Sequence, residues 1–255
     1  FEGRITEDNF LGAVIDHQNK QLRVYSNDMV IKRFNRDSEK IARSFDKVCE
    51  SEILEISKLY SEVLFKISDG FIRSAGANDE LSMECGKLLM NASITIQASI
   101  ELLRIGYILQ PGMLLRSIVE VFSLISYMHI EPDGFERYKD GKVDINKTIK
   151  YGKQILPPLG KFQGLLSNQF VHISDLHSEF NNIAEYEGMI EPLKINLNLI
   201  RTSIWLTAII TELVFYKYFG EHDFWNRKSK YEFELKIQDN IEEWIGLGPP
   251  ETSNI

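Results

Sequence analysis

Residues 113–130, Met-Leu-Leu-Arg-Ser-Ile-Val-Glu-Val-Phe-Ser-Leu-Ile-Ser-Tyr-Met-His-Ile, are apolar on nearly every side of a helical wheel and contain no Pro or Gly. Such a segment can only be a helix enclosed by other helices, so it is expected to form the middle of the core. The flanks support this. From Asp28 to about Phe71 the apolar residues Val30, Phe34, Ile41, Phe45, Val48, Ile56, Tyr60, Val63 and Ile67 recur at threes and fours with no proline between them. That is the pattern of a long amphipathic helix, or of two in line, with Gly70 and Gly76 as its stop. Asp79 then reads as the N-cap of a second long helix, 80–109, and Pro111-Gly112 as the turn into the central one. Beyond Pro132 come shorter pieces: helices at about 144–155 and 159–171, a loop-like stretch at 173–191, a long apolar helix from Pro192 to Phe219, and a last amphipathic helix at about 230–245. Thr6 with Glu7 and Asp8 suggests a short N-terminal helix through Phe10 and Leu11. Gln21–Tyr25 is the only strand-like run. The expected class is all-α, a bundle of seven or eight helices around long antiparallel ones. Its organisation is an N-terminal helical region at 1–78 that can pack on the same core, a helical bundle at 79–220, and a C-terminal helix and tail at 221–255.

Composition bounds the function. Among 255 residues, 44% hydrophobic and 26% charged, the balance is that of a globular protein, and a formal charge of −8 argues against a protein that simply coats nucleic acid or anionic membrane. Ser203–Phe219 is the most membrane-like stretch, but Glu212 and Lys217 interrupt it, so it reads as a buried helix. Cys49 and Cys85 lie in helical segments without metal-ligand spacing, and no basic-then-apolar leader is visible, so reduced thiols and a cytosolic location are expected. No dinucleotide fingerprint, phosphate loop, zinc-protease motif, nucleophile elbow or Glu-x-x-His pair occurs, and no cofactor or metal is expected.

Three features carry chemistry. Arg116 and Glu120, four apart on the central helix, share a face; they read as an intrahelical pair that lets a buried helix carry two charges, or as a holder of phosphate. His172 ends the 159–171 helix, where it caps the last carbonyls, acts as an acid/base or contacts RNA; the set His172, Asp175, His177 matches no standard metal spacing. Residues 135–161 hold seven Lys/Arg against three acids, whereas 173–191 hold five acids and no base. Lys147, Lys150 and Lys153 line one helix face, as a solvated surface or a phosphate track, and the opposed patches could equally pair across a homodimer.

Leu114-Leu115-Arg116-Ser117-x-x-Glu120 after Pro111-Gly112, followed about 50 residues later by Leu166-Ser167-x-x-x-x-His172 at a helix end, resembles a group of bacterial proteins related to the HEPN (higher eukaryote and prokaryote nucleotide-binding) superfamily. The resemblance covers roughly residues 85–220. It implies an all-α bundle, a homodimer, and relatedness to toxin–antitoxin, abortive-infection and phage-defence proteins, many of them metal-independent endoribonucleases. In the active ribonucleases an Arg precedes the His by five or six positions; here Leu166, Ser167 and Asn168 occupy that neighbourhood. Arg116 is the substitute, with Glu120 orienting it and Ser167 or Asn168 donating hydrogen bonds. Three readings follow: a non-catalytic component of a defence or stress system that binds a nucleotide, RNA or a protein partner; a metal-independent endoribonuclease using His172 with Arg116; and a helical scaffold that pairs through residues 28–71.

Overall fold

The computed structural model describes residues 7–17, 20–173, 177 and 183–236. The central segment is a helix, α5 (Gln110–Ile130), and twelve of its residues are buried. Against it pack α4 (Glu80–Arg104) and α9 (Glu191–Val214), which touch each other, and α3 (Glu50–Gly76) packs on both of these. A single turn α1 (Met29–Lys32), a wide π-helical turn (Arg33–Asp37) and α2 (Ser38–Val48) lead into α3. On the other flank α6 (Gly134–Lys139), α7 (Ile145–Ile155) and α8 (Pro158–Leu166) wrap α5. Two short antiparallel hairpins complete the all-α bundle: β1 (Phe10–Asp16) with β2 (Gln21–Ser26), and β3 (Trp225–Arg227) with β4 (Phe233–Leu235). Eight helices exceed one turn among the described residues.

Local chemistry sets the helix ends. Asn78, in the left-handed region at φ 53°, stops α3, and the Asp79 carboxylate accepts from Ser82 N to start α4. Asp144 accepts from Asn146 N at 3.1 Å and starts α7 in the same way. Buried hydroxyls are satisfied within their own helices: Ser203, Thr207 and Thr211, one turn apart on α9, each donate to the carbonyl four residues back. Such small, internally bonded residues let apolar helices approach closely without orphaned polar groups. Both α5 and α9 are long and apolar enough to cross a membrane by length and composition, yet 61% and 78% of their apolar windows are buried within the bundle. The expected buried helix around Ser203 is therefore part of α9.

Several boundaries differ from expectation. Pro111-Gly112 is not the turn: α4 ends at Arg104, Gly106 (φ 91°) reverses the chain, and Pro111 occupies the first turn of α5, where its missing N–H costs nothing. Gly112 is needed for packing, because a Cβ there would lie 2.3 Å from the Phe170 ring. Gly70 likewise sits inside α3 against Phe215 rather than ending the helix. The expected N-terminal helix is one 3-10 turn (Glu7–Asn9) running into β1, because the run Phe10–Ile15 finds a partner strand across the Lys20 turn. The expected helix at 230–245 begins as strand β4; residues 237–245 lie outside the described residues. In the 28–71 stretch, Ile41, Phe45, Ile56, Val63 and Ile67 are buried in the common core, leaving Val30 and Phe34 exposed. Of the stripe that a scaffold requires, only Val30 and Phe34 stay exposed, although Leu54 and Phe65, outside that stripe, stand exposed on α3.

Candidate functional site

The site is built where α8 runs out. After Leu166 the helix widens into one π-helical turn, Ser167–Val171, and His172 turns extended. Wide turns of this kind inside helices recur at functional positions. Phe170 anchors the turn, buried against Gly112 in the first turn of α5. One turn further along α5, Arg116 faces the same segment.

Ser167 is the junction. Arg116 Nε donates to Ser167 Oγ at 3.2 Å, and the backbone N–H of His172 donates to Ser167 O at 2.9 Å. Arg116 Nη1 also donates to Glu120 Oε1 at 3.0 Å, so the expected i, i+4 pair is formed. The Arg116 side chain keeps 21% of its surface exposed and Glu120 45%, which makes this a half-open ion pair rather than a sealed core pair. No partner among the described residues takes the remaining guanidinium nitrogen, Nη2. His172 is exposed, and so is Asn168, which makes no bond to Arg116. The structure thus gathers Arg116, Glu120, Ser167 and His172 at one helix end, with Arg116 oriented by a hydroxyl and a carboxylate.

Lys147, Lys150 and Lys153 stand exposed on α7, whose buried face is Thr148, Gly152 and Ile155. Lys147 lies 3.5 Å from Asp144, and the Lys150 ammonium sits 4.8 Å from the Tyr151 ring centroid. Among the described residues, no hydrogen bond or ion pair joins these lysines to Arg116, Ser167 or His172. They form a separate solvated face on a helix that packs along α5 and touches α8. Asp175, the middle member of the set His172, Asp175, His177, lies outside the described residues.

The same π-helical turn lends Gln169 and Phe170 to a mostly apolar hollow of about 190 Å³, whose other walls include Pro192, Ile195 and Asn196. Asn196 is buried and its Nδ2 donates to Ile108 O and Pro192 O, while its Oδ1 finds no donor. The amide orientation is fixed by those two carbonyl acceptors. No spacing in the sequence points to this hollow, because its walls come from three separate segments.

A thiol and an imidazole also meet inside the bundle: Cys85 Sγ lies 3.9 Å from His129 Nδ1, which is 3.0 Å from Ile125 O. Burial pushes the Cys85 thiol well above its ordinary range and holds the His129 imidazole below its own. Both shifts favour the neutral forms and the thiol is fully buried, the opposite of the exposed thiolate that nucleophilic catalysis requires. Cys49 is likewise buried, its thiol pushed up to about 11, chiefly by desolvation.

No family model, no curated protein and no solved structure matches this chain.

Proposed function

We propose that the protein is a non-catalytic component of a bacterial defence or stress system that binds RNA or a nucleotide through the Arg116–Ser167–His172 ledge. The observation that carries this reading is the shared contact at Ser167, which ties the arginine of α5 to the turn presenting His172. A half-exposed guanidinium with an uncommitted nitrogen, held in place by two neighbours, is suited to bind a phosphate oxygen. The hollow formed by the same turn offers Phe170 as an apolar wall for a base. The lysine face of α7 adds sequence-independent attraction. Glu120 supports binding over catalysis, because it already offsets the charge that a ribonuclease would aim at the developing phosphorane. The resemblance to HEPN-related proteins supports the defence context, and the isolated cysteines support a cytosolic location.

Metal-independent endoribonuclease chemistry is the second reading, and the same link favours it, because Ser167 joins both Arg116 and the backbone of the exposed His172; it requires the His172 ring and Arg116 to reach one phosphate. Anisotropy of a labelled single-stranded RNA, with a parallel incubation in EDTA, separates the two. Binding without cleavage, weakened about 10-fold by Arg116→Gln, is the expected result. Cleavage that persists in EDTA and disappears in His172→Ala would replace it with the nuclease. Neither binding nor cleavage would overturn both.

A further inference from the structure

α3 and α9 run side by side in the same direction: Arg201 of α9 meets Glu55 of α3 at 2.8 Å, and further along Gly70 of α3 receives the Phe215 ring that follows α9. Between these two contacts the helices leave a gap. Leu59 and Val63 on one side, Ile204, Trp205 and Ala208 on the other, and Phe224 at the end enclose a mostly apolar hollow of about 120 Å³, with Glu62 and Lys66 on its rim. Lys66 lies 3.6 Å from Asp223, which fixes the end at which Phe224 sits. Small-molecule sites need about 300 Å³ or more, whereas an apolar cavity of about 150 Å³ holds one benzene ring, so this hollow has the size of an inserted side chain.

The chain itself arrives at this place. Lys236, which follows β4, donates its N–H to Phe224 O at 2.8 Å and its ammonium to His222 O, so residue 237 starts beside a wall of the hollow. The sequence from there reads Ile237-Gln238-Asp239-Asn240-Ile241-Glu242-Glu243-Trp244-Ile245. Its apolar members recur at i, i+4, i+7 and i+8, one face of the helical period, while Asp239, Glu242 and Glu243 fall on the opposite face. Gly246 and Pro249-Pro250 then end the pattern. Nine residues at the helical rise span about 14 Å, and α3 from Lys66 back to Glu55 spans about 16 Å, so the segment matches the face that leads from Phe224 to Arg201. An occupant joined directly to the wall has an effective concentration of about millimolar or more, which favours it over any free partner of similar pattern.

We propose that residues 237–245 dock in this hollow through Ile237, Ile241, Trp244 and Ile245, running back along α3 and α9 from Phe224 toward the Glu55–Arg201 pair. The three acids then face water, and the segment ties the end of β4 to the bundle. The inference stands apart from the RNA-binding reading, since it involves none of its residues.

Hydrogen exchange of the full chain tests it. Amides of residues 237–245 are expected to exchange about 100-fold more slowly than in an unstructured chain. Ile241→Glu and, separately, Leu59→Glu bring an unpaired charge to the hollow from either side, and each is expected to remove about 10-fold or more of that protection while the bundle keeps its circular dichroism. Phe65→Glu, on an exposed apolar residue of α3 outside the hollow, leaves the protection unchanged. Because both native cysteines are buried, Leu59→Cys combined with Ile241→Cys adds the two accessible thiols, which are expected to close a disulfide within one chain on oxidation. Unprotected amides over 237–245 overturn the proposal. So does protection that survives Ile241→Glu, or that is lost equally in Phe65→Glu. A disulfide formed only between two chains also overturns it and assigns the hollow to the segment of a second copy.

Discussion

The C-terminal hairpin has strands of three residues and is fixed to the bundle; the N-terminal one has strands of seven and six and is barely attached. What separates them is anchorage. Trp225 is fully buried at the start of β3, and its indole N–H donates to Ile209 O at 2.8 Å. Beside it the buried Glu212 carboxylate of α9 accepts the backbone N–H groups of Asp223, Phe224 and Trp225, at 2.8 to 3.2 Å. In the N-terminal hairpin Ser26 is the only buried residue among those whose side chains are described, and Lys32 is its tether. Ladder length is thus a poor guide to how firmly a hairpin is held; a buried charge aimed at backbone donors and an inserted aromatic ring do more than extra strand pairs.

Glu212→Ala is the severest way to break this contrast. It leaves three N–H groups at a buried site without acceptors, and a loss of about 3–5 kcal/mol is expected. For a chain of this size that lowers the melting temperature by roughly 10 °C, with exposure of Trp225 visible as a red-shifted emission. An unchanged transition would mean that the carboxylate is not the anchor. Lys32→Met is the corresponding cut at the other end and should be mild globally. Hydrogen exchange is expected to quicken over residues 10–26, while the bundle amides keep their protection and the melting temperature stays within about 2 °C. A fall comparable with that of Glu212→Ala would make the N-terminal hairpin an integral part of the core.

The bundle was legible in the sequence because it is written in local pattern: the central apolar helix, the Asp79 cap and the i, i+4 pair of Arg116 and Glu120 all follow from residues along one helix. The hairpins were not, because acids near residue 7 and apolar spacing after residue 230 satisfy helix rules as well as strand rules, and tertiary contacts decide between them. Glu212 read only as a charge that interrupts a membrane-like run; its role needs Asp223–Trp225, which no local pattern pairs with it. The candidate site divides the same way. Arg116 and His172 stand out as residue types, but the bond from Arg116 to Ser167 spans 51 positions and depends on Gly112 admitting Phe170, a packing fact with no signature in spacing.

Acid provides the finest comparison of the two ends. On the C-terminal side, desolvation holds the His129 imidazole below its usual 6.5; Asp79 favours its protonation, while Lys217 and Arg227 of β3 oppose it. At the N-terminus, the hydrogen bond from Ser26 and then that from Lys32 hold the Asp28 carboxyl below its usual 3.8. The two shifts act at different pH. As pH falls through 6.5 the unfolded chain protonates residue 129 and the folded chain does not, so stability declines from 6.5 down to the lowered pKa of the folded state, by at most about 1.4 kcal/mol per pH unit. Asp28 contributes fully above 3.8 and is lost only as pH falls below that value toward its own lowered pKa. Urea midpoints between pH 7 and 5 are therefore expected to fall in the native chain and to flatten in His129→Gln, whereas amide protection over residues 10–26 persists until the pH drops below about 3.8. If the variant keeps the native slope, the His129 imidazole is not its source. If hairpin protection vanishes with that first decline, the two ends are coupled, and the Lys32–Asp28 tether does not hold the N-terminal hairpin independently of the bundle.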